Sequence, residues 1–405
     1  MDLEQYKKII HLGMHPHADT FISKEQLCLS EDVYPLECYL NEDSGDIRLG
    51  IATSANERYN LYDYSYTSSN SAFAKEHWDE LSETLFNRFE LNSSSYVVEV
   101  GSNDGYLIGR LAEKGVNTLG VDASEYMTKV ASKNNNIKTC CAIFGEEVGE
   151  DLLGRYGQAD LVIANNVFNH ANDPVDFAKG VKNLLKTNGV FVYEVPYWLN
   201  TIKDKKFDQI YHEHISYFTV KSSLELLKSV GLEIFDVQVV NYHGGSIRVF
   251  SKLKEQNRPV NAVIDKMIED EKQLGLFDAD TYASFMEEIK KQRNKFLQNL
   301  YNIKSQGYPI IAVGAAAKGN TFLNFYNLDS TVVDYVTDAS IHKQGKYTPL
   351  TRIPIVGDEI FSKYDKVYAL ILSWNISDKL KSKLKEINKN IEFLDLSGEN
   401  ENKKH

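Results

Sequence analysis

The chain has 405 residues, 42% of them hydrophobic and 25% charged, which fits two or three globular domains with sizeable cores. A net charge of −12 argues against a nucleic-acid partner, which needs a positive face to offset phosphates, although backbone N–H groups can still hold a small anion. No apolar run of about 18 residues exists, so no membrane span is expected. The opening MDLEQYKKII lacks a signal-peptide core, and four cysteines without a C-x-x-C pair fit a reducing cytoplasm.

Residues 1–80 are irregular and rich in Tyr, Ser and Asn, most densely in RYNLYDYSYTSSNSAF (58–73), and are expected to form a small cap. Residues 81–255 alternate apolar strands (SYVVEVG, NTLGVD, ADLVIAN, GVFVYEV) with helical periods such as DFAKGVKNLLKTNG, which stops at Asn-Gly. That alternation predicts an α/β domain with a parallel, doubly wound, Rossmann-like sheet. LEIFDVQVV and GSIRVFSKL are joined by too few residues for a crossover, so they are expected to pair antiparallel. Residues 256–306 carry many charges at helical spacing and read as a solvated connecting helix. From 308 the α/β pattern restarts. Gly314 closes a strand as Gly101 does, and VTDAS (336–340) repeats the shape of GVDAS (120–124), so 256–405 is expected to end in a second, diverged Rossmann-like unit.

The turn EVGSNDGYL (99–107) follows the first long strand, and Gly101 and Gly105 let the backbone approach a ligand. Asp122 closes the next strand, where an acid suits the vicinal diol of ribose. A dinucleotide site would present three glycines to pyrophosphate; here acidic Asp104 stands in the turn and would repel it. An ammonium and a sulfonium fit better, so the expected ligand is S-adenosylmethionine (SAM), its amino-acid part near Glu99, Gly101 and Asp104. Asn103 and Gly105 of the turn, with Asn165 and Asn166 after ADLVIAN, complete the expected cofactor set. His170 lies in the same loop, NNVFNHANDP, beyond the carboxyl end of a strand where ligands sit.

FDQIYHEHISYF (207–218) places Tyr211, His212, Glu213 and His214 between a strand and the next helix, at the position of a lid. No further ligands are spaced to complete a zinc site, so acid–base chemistry is the expected use: His accepts a proton near neutral pH and Tyr hydrogen-bonds an oxyanion or relays a proton. In YHGGSIRVF (242–250), Ser246 and Arg248 are read either as ligand contacts or as packing of a sheet edge.

Together with LGMHPHADTF, YDYSYTSSNS, NVFNHANDP, YHEHISYF, HGGSIRV, GAAAKGNTFLNF and TDASIHKQGKYTPLTRIPI, these stretches make nearly the whole chain resemble the three-part sugar C-methyltransferases of deoxysugar pathways. The resemblance implies SAM-dependent methylation at C-3 of a nucleotide-linked 4-keto sugar, and a monomer. It implies catalytic roles for Tyr211, Glu213, His214 and His170, a cap contribution from Tyr66, and a nucleotide-sugar contact from Lys318 at a helix N-terminus. His214 or Tyr211 is the base, Glu213 orients His214 or touches the sugar, and His170 lies near the keto oxygen or the proton path. The family's cap carries two zinc-binding Cys pairs. Here MDLEQYKK stands where the first would be, and Asn41 and Ser44 hold the places of the second, so a cap without zinc is expected. O-methylation of a sugar or other small molecule is the alternative chemistry for the same cofactor site.

Overall fold

The computed structural model describes residues 3–55, 58, 67–69, 71–135 and 137–394. The cap begins with three antiparallel strands, β1 (Lys7–His15), β2 (Tyr34–Leu40) and β3 (Ile47–Leu49). Alternation along β2 turns Leu36, Cys38 and Leu40 to the interior, where none keeps any exposure.

The helix Ala72–Arg88 then packs Ala74, Trp78, Leu81 and Leu85 on the central sheet. That sheet is started by β4 (Tyr96–Val100), β5 (Asn117–Asp122), β6 (Thr139–Cys141), β7 (Ala159–Asn165) and β8 (Leu185–Pro196), paired in parallel. The chain next returns to the cap, where β9 (Ser216–Tyr217) pairs with β3. Finally β10 (Leu232–Val240) and β11 (Ser246–Leu253) form the antiparallel pair that their short connection requires, and β11 lies antiparallel on β8. The order β10-β11-β8-β7-β4-β5-β6 reverses direction between β4 and β7, which opens a crevice at their carboxyl ends.

The C-terminal unit has five parallel strands, β12 (Ile310–Val313), β13 (Tyr335–Thr337), β14 (Ile355–Val356), β15 (Val367–Ile371) and β16 (Ile391–Leu394). Their order, β14-β13-β12-β15-β16, gives a second switch point between β12 and β15. The repeat read in the sequence is present in atomic detail. Gly101 N–H donates to the Val121 carbonyl at 2.7 Å, and Gly314 N–H donates to that of Thr337 at 2.7 Å. Asp122 accepts from Ser124 N and Asn103 N, and Asp338 accepts from Ser340 N and Ala315 N, all at 2.8–2.9 Å.

The connector departs from expectation. It forms two helices, Val263–Gln273 and Ala279–Ser305, and the second buries Tyr282, Phe285, Met286, Ile289, Phe296, Leu300 and Ile303. These join one core with Ile10 and Leu36 of the cap and Ile310 and Leu323 of the C-terminal unit. High charge density masked an apolar stripe that welds the three parts together. Among the described residues no helix is long and apolar enough to cross a membrane.

Candidate active site

The glycine turn after β4 forms one wall. Gly101 and Gly105 stand at φ +73° and +77°, a region that L side chains resist. A Cβ on Gly101 would lie 2.7 Å from the Val167 side chain, on the opposite side of the crevice. Gly101→Ala is therefore expected to push the two walls apart and to weaken SAM binding about tenfold, the equivalent of the 1–2 kcal/mol cost of a left-handed residue. Calorimetric titration checks this, and an unchanged affinity would detach the turn from the cofactor.

Asp122 sits at the crevice with both oxygens on backbone amides, and burial raises its pKa. Glu99, beneath the turn, accepts from Ile108 N–H at 3.1 Å, and burial followed by Asp104 and Asp122 raises its pKa well above the usual carboxyl range. Asp104 does not point freely into the crevice. Its carboxylate accepts from Ser68 Oγ at 2.5 Å, from Ser69 Oγ at 2.7 Å and from Ser69 N, while Asn103 Oδ1 accepts from Ser68 N. Asp104 thus ties a cap segment over the turn. Across the crevice, Asn165 Oδ1 accepts from Glu194 N, and Asn166, at φ +52°, donates its N–H to Glu194 O. Asn165 Nδ2 and Asn166 Oδ1 are buried without a partner among the described residues. Buried polar atoms are seldom left unpaired, so this pair fits a polar ligand in the crevice.

The acid–base groups gather beside it. Tyr211 and His214 pack with ring centroids 4.0 Å apart, and the Tyr211 hydroxyl is 2.7 Å from His214 Nε2. His214 Nδ1 lies 2.9 Å from the Gln209 carbonyl, which can only accept. Nδ1 therefore carries the proton, and Nε2 accepts from the Tyr211 hydroxyl. Burial, then His170 and Lys318, lowers the His214 pKa well below its ordinary value, so the imidazole is neutral. The His170 ring lies 5.2 Å from that of His214, with its pKa pushed down to about 3 by burial and by Arg58. Arg58 holds this loop, donating to the His170 carbonyl at 3.0 Å and to Asn172 Oδ1 at 2.6 Å.

Glu213 does not orient His214, because both imidazole nitrogens are engaged elsewhere. Burial, then Asp19, raises the Glu213 pKa to about 8, with Arg58 pulling it back. Lys318 stands on the helix Ala317–Phe325 within electrostatic reach of His214, its Nζ 4.9 Å from the Trp374 ring centre. Burial lowers its pKa to about 8, while nearby Asp208 acts to raise it.

Ser246 and Arg248 take the packing alternative. Ser246 is fully buried and donates to the Tyr242 carbonyl at 2.9 Å, bracing the Gly-Gly turn instead of facing ligand. Arg248 lies beneath the site, bonded to Glu194 at 2.6 Å and to Glu80 at 2.9 Å. Tyr66 lies outside the described residues. Sequence reading missed Gln209, Arg58, Asp19, His243 and the Asp208–Trp374 hydrogen bond of 2.6 Å; the His in HGGSIRV was the one local signal available. Among the described residues no group of three or more His, Cys, Asp or Glu is arranged to hold a metal ion.

Residues 72–237 match the family model of a methyltransferase domain, and residues 241–394 match that of the C-methyltransferase C-terminal domain. With the sheet described above, these matches define the class: the chain is a SAM-dependent methyltransferase, and SAM is its cofactor. More narrowly, it is a C-methyltransferase related to C-methyltransferase NovU of Streptomyces niveus, with 29% identity over 387 residues, 96% of this chain and 91% of that protein. An uncharacterized protein of Methanocaldococcus jannaschii is 25% identical over 171 residues, 38% of this chain and 80% of its own. A solved SAM-dependent methyltransferase from Clostridium acetobutylicum, 17% identical, aligns with 46% of this chain and 93% of its own at a TM-score of 0.36.

Proposed function

We propose that the protein methylates the carbon α to the ketone, C-3, of a nucleotide-linked 4-keto-deoxysugar, through an enolate. The observation that carries this reading is the Tyr211–His214 pair, with its proton positions set by the Gln209 carbonyl. A hydrogen beside a ketone leaves only if a base meets it and the resulting charge spreads onto oxygen. Neutral His214 takes the Tyr211 proton as the tyrosine oxygen takes that of the carbon, so the pair acts as one base. SAM supplies an electrophilic methyl group. Glu99, Gly101, Asn103, Gly105, Asp122, Asn165 and Asn166 hold it, and Asp104 secures the covering segment. Lys318 and the amides at the start of its helix face the diphosphate of the acceptor.

Glu213 enters as a neutral acid at pH 7 and donates to a sugar hydroxyl. It ionises as pH rises past about 8, and Lys318 loses its charge in the same range. Both changes remove a contact, so turnover is expected to fall on the alkaline side. The double variant Glu213→Gln/Lys318→Arg, in which neither position titrates there, should lose that limb in a pH profile; its persistence near pH 8 would count against both assignments.

Mass spectrometry after incubation with SAM and dTDP-, CDP- or GDP-linked 4-keto-6-deoxyhexoses tests the function. A product one methylene heavier, with S-adenosylhomocysteine formed alongside, is expected. Solvent deuterium entering the acceptor carbon without SAM separates this chemistry from O-methylation, which needs no C–H cleavage.

A further inference from the structure

We propose that His243 is a further catalytic residue, one whose ring N–H hydrogen-bonds the carbonyl oxygen of the acceptor while the neighbouring carbon loses its proton. The role rests on the enolate reading given above.

His243 stands between β10 and β11 at φ +49°, a left-handed conformation that costs a residue with a Cβ and recurs at functional sites. The surroundings enforce it. Gly245 N–H and the Ser246 hydroxyl both bond to the Tyr242 carbonyl, and Gln209 Nε2 donates to the His243 carbonyl at 3.3 Å. The turn is pressed from outside as well: a Cβ on Gly244 would lie 2.2 Å from the Trp374 ring, and one on Gly245 would lie 2.3 Å from the Asn200 amide. The imidazole rests on Tyr242 with ring centres 4.2 Å apart, and Tyr242 is stacked on His77 at 4.1 Å.

Gln209 connects this imidazole to the base. Its backbone carbonyl fixes His214 Nδ1, and its side-chain amide fixes the His243 backbone. The two histidines are therefore hung on one residue at the edge of one recess. His243 also lies within electrostatic reach of Lys318, His77 and His170, which, after burial, favour its neutral form. A neutral imidazole has one N–H to give.

The other groups are committed. Both nitrogens of His214 are bonded, and the Tyr211 hydrogen points to His214. His170 Nε2 is sealed from solvent. His243 is half-buried, and no hydrogen bond reaches either of its ring nitrogens from the described residues. In the enolisation step the acceptor carbon gives its proton to Tyr211 oxygen, whose own proton passes to His214 Nε2. The C–H electron pair becomes the carbon–carbon double bond, and the carbonyl pair moves onto oxygen, where the His243 N–H meets it. The N–H stays on His243 throughout, and the ketone returns when the carbon is alkylated.

His243→Gly is the informative variant, because glycine tolerates the left-handed backbone and offers no side-chain donor. Deuterium exchange at the acceptor carbon is followed without SAM, using the same three nucleotide-linked 4-keto-6-deoxyhexoses, with calorimetric SAM binding in parallel. Removal of an oxyanion donor is expected to slow exchange and kcat about 10²-fold or more, with SAM affinity unchanged. Exchange at the wild-type rate in the variant would overturn the role of His243 and leave the carbon-methylation reading standing. Absence of exchange in the wild-type protein itself would overturn that reading, and this role with it. Loss of SAM binding in both His243→Gly and His243→Asn would overturn the role too, making the residue a structural one.

Discussion

His214→Asn is expected to lower kcat about 10³-fold, in the middle of the range for a lost general base, while SAM binds as before. Asparagine can still reach the Gln209 carbonyl, but it offers no basic nitrogen to the Tyr211 hydroxyl. Tyr211 then has nowhere to send its proton, and a phenol that cannot ionise does not abstract one from carbon. Tyr211→Phe should lose a similar factor, because it leaves His214 packed against an aromatic ring that lacks the hydroxyl oxygen bonded to Nε2. The double variant should be little worse than either single one, since the two residues act as a unit. Single-turnover methyl transfer measures all three. Near-normal rates in His214→Asn would remove it from the base.

Glu194→Ala is expected to destabilise the protein by about 3–5 kcal/mol, the usual result of orphaning one member of a buried ion pair. Glu194 has no side-chain exposure and Arg248 only 2%, and they meet at 2.6 Å. His77 Nε2 lies 2.7 Å from the other carboxylate oxygen. Removing the carboxylate strands a guanidinium under the sheet, and Glu80, more than half exposed, replaces little of what is lost. Glu194→Leu/Arg248→Met, which removes both charges, should recover most of the deficit. Denaturant titration of the three proteins decides. If Glu194→Ala unfolds as the wild type does, the network is not structural.

How much was legible depended on whether the signal was local. The order of strands, the antiparallel β10–β11 pair and the repeated Gly-turn with its Asp come from short periodic patterns and connection lengths, so the sequence carried them. Tyr211, Glu213 and His214 share one loop and were visible as a cluster, although of the two roles expected of Glu213 the contact with His214 is not made. The residue that sets the His214 tautomer is Gln209, acting through a backbone carbonyl that any residue possesses. Arg58 reaches His170 across 112 positions and Asp208 reaches Trp374 across 166, distances over which one sequence offers no pairing signal. The helix Ala279–Ser305 was misread for another reason: its charges are conspicuous, while the buried stripe of Tyr282, Ile289, Phe296 and Leu300 is spread over about five turns.

The two residues of β9 begin two positions after His214 but hydrogen-bond to β3, so the segment bearing the base is stitched into the N-terminal sheet. A cap transplanted from a relative would therefore not arrive as a neutral specificity module. It would bring new registry to the strand two residues beyond His214, and with it a new aim for the base. Chimaeras that exchange residues 1–50 alone should lose turnover before they change acceptor, and those that carry 207–218 along with the cap should regain it.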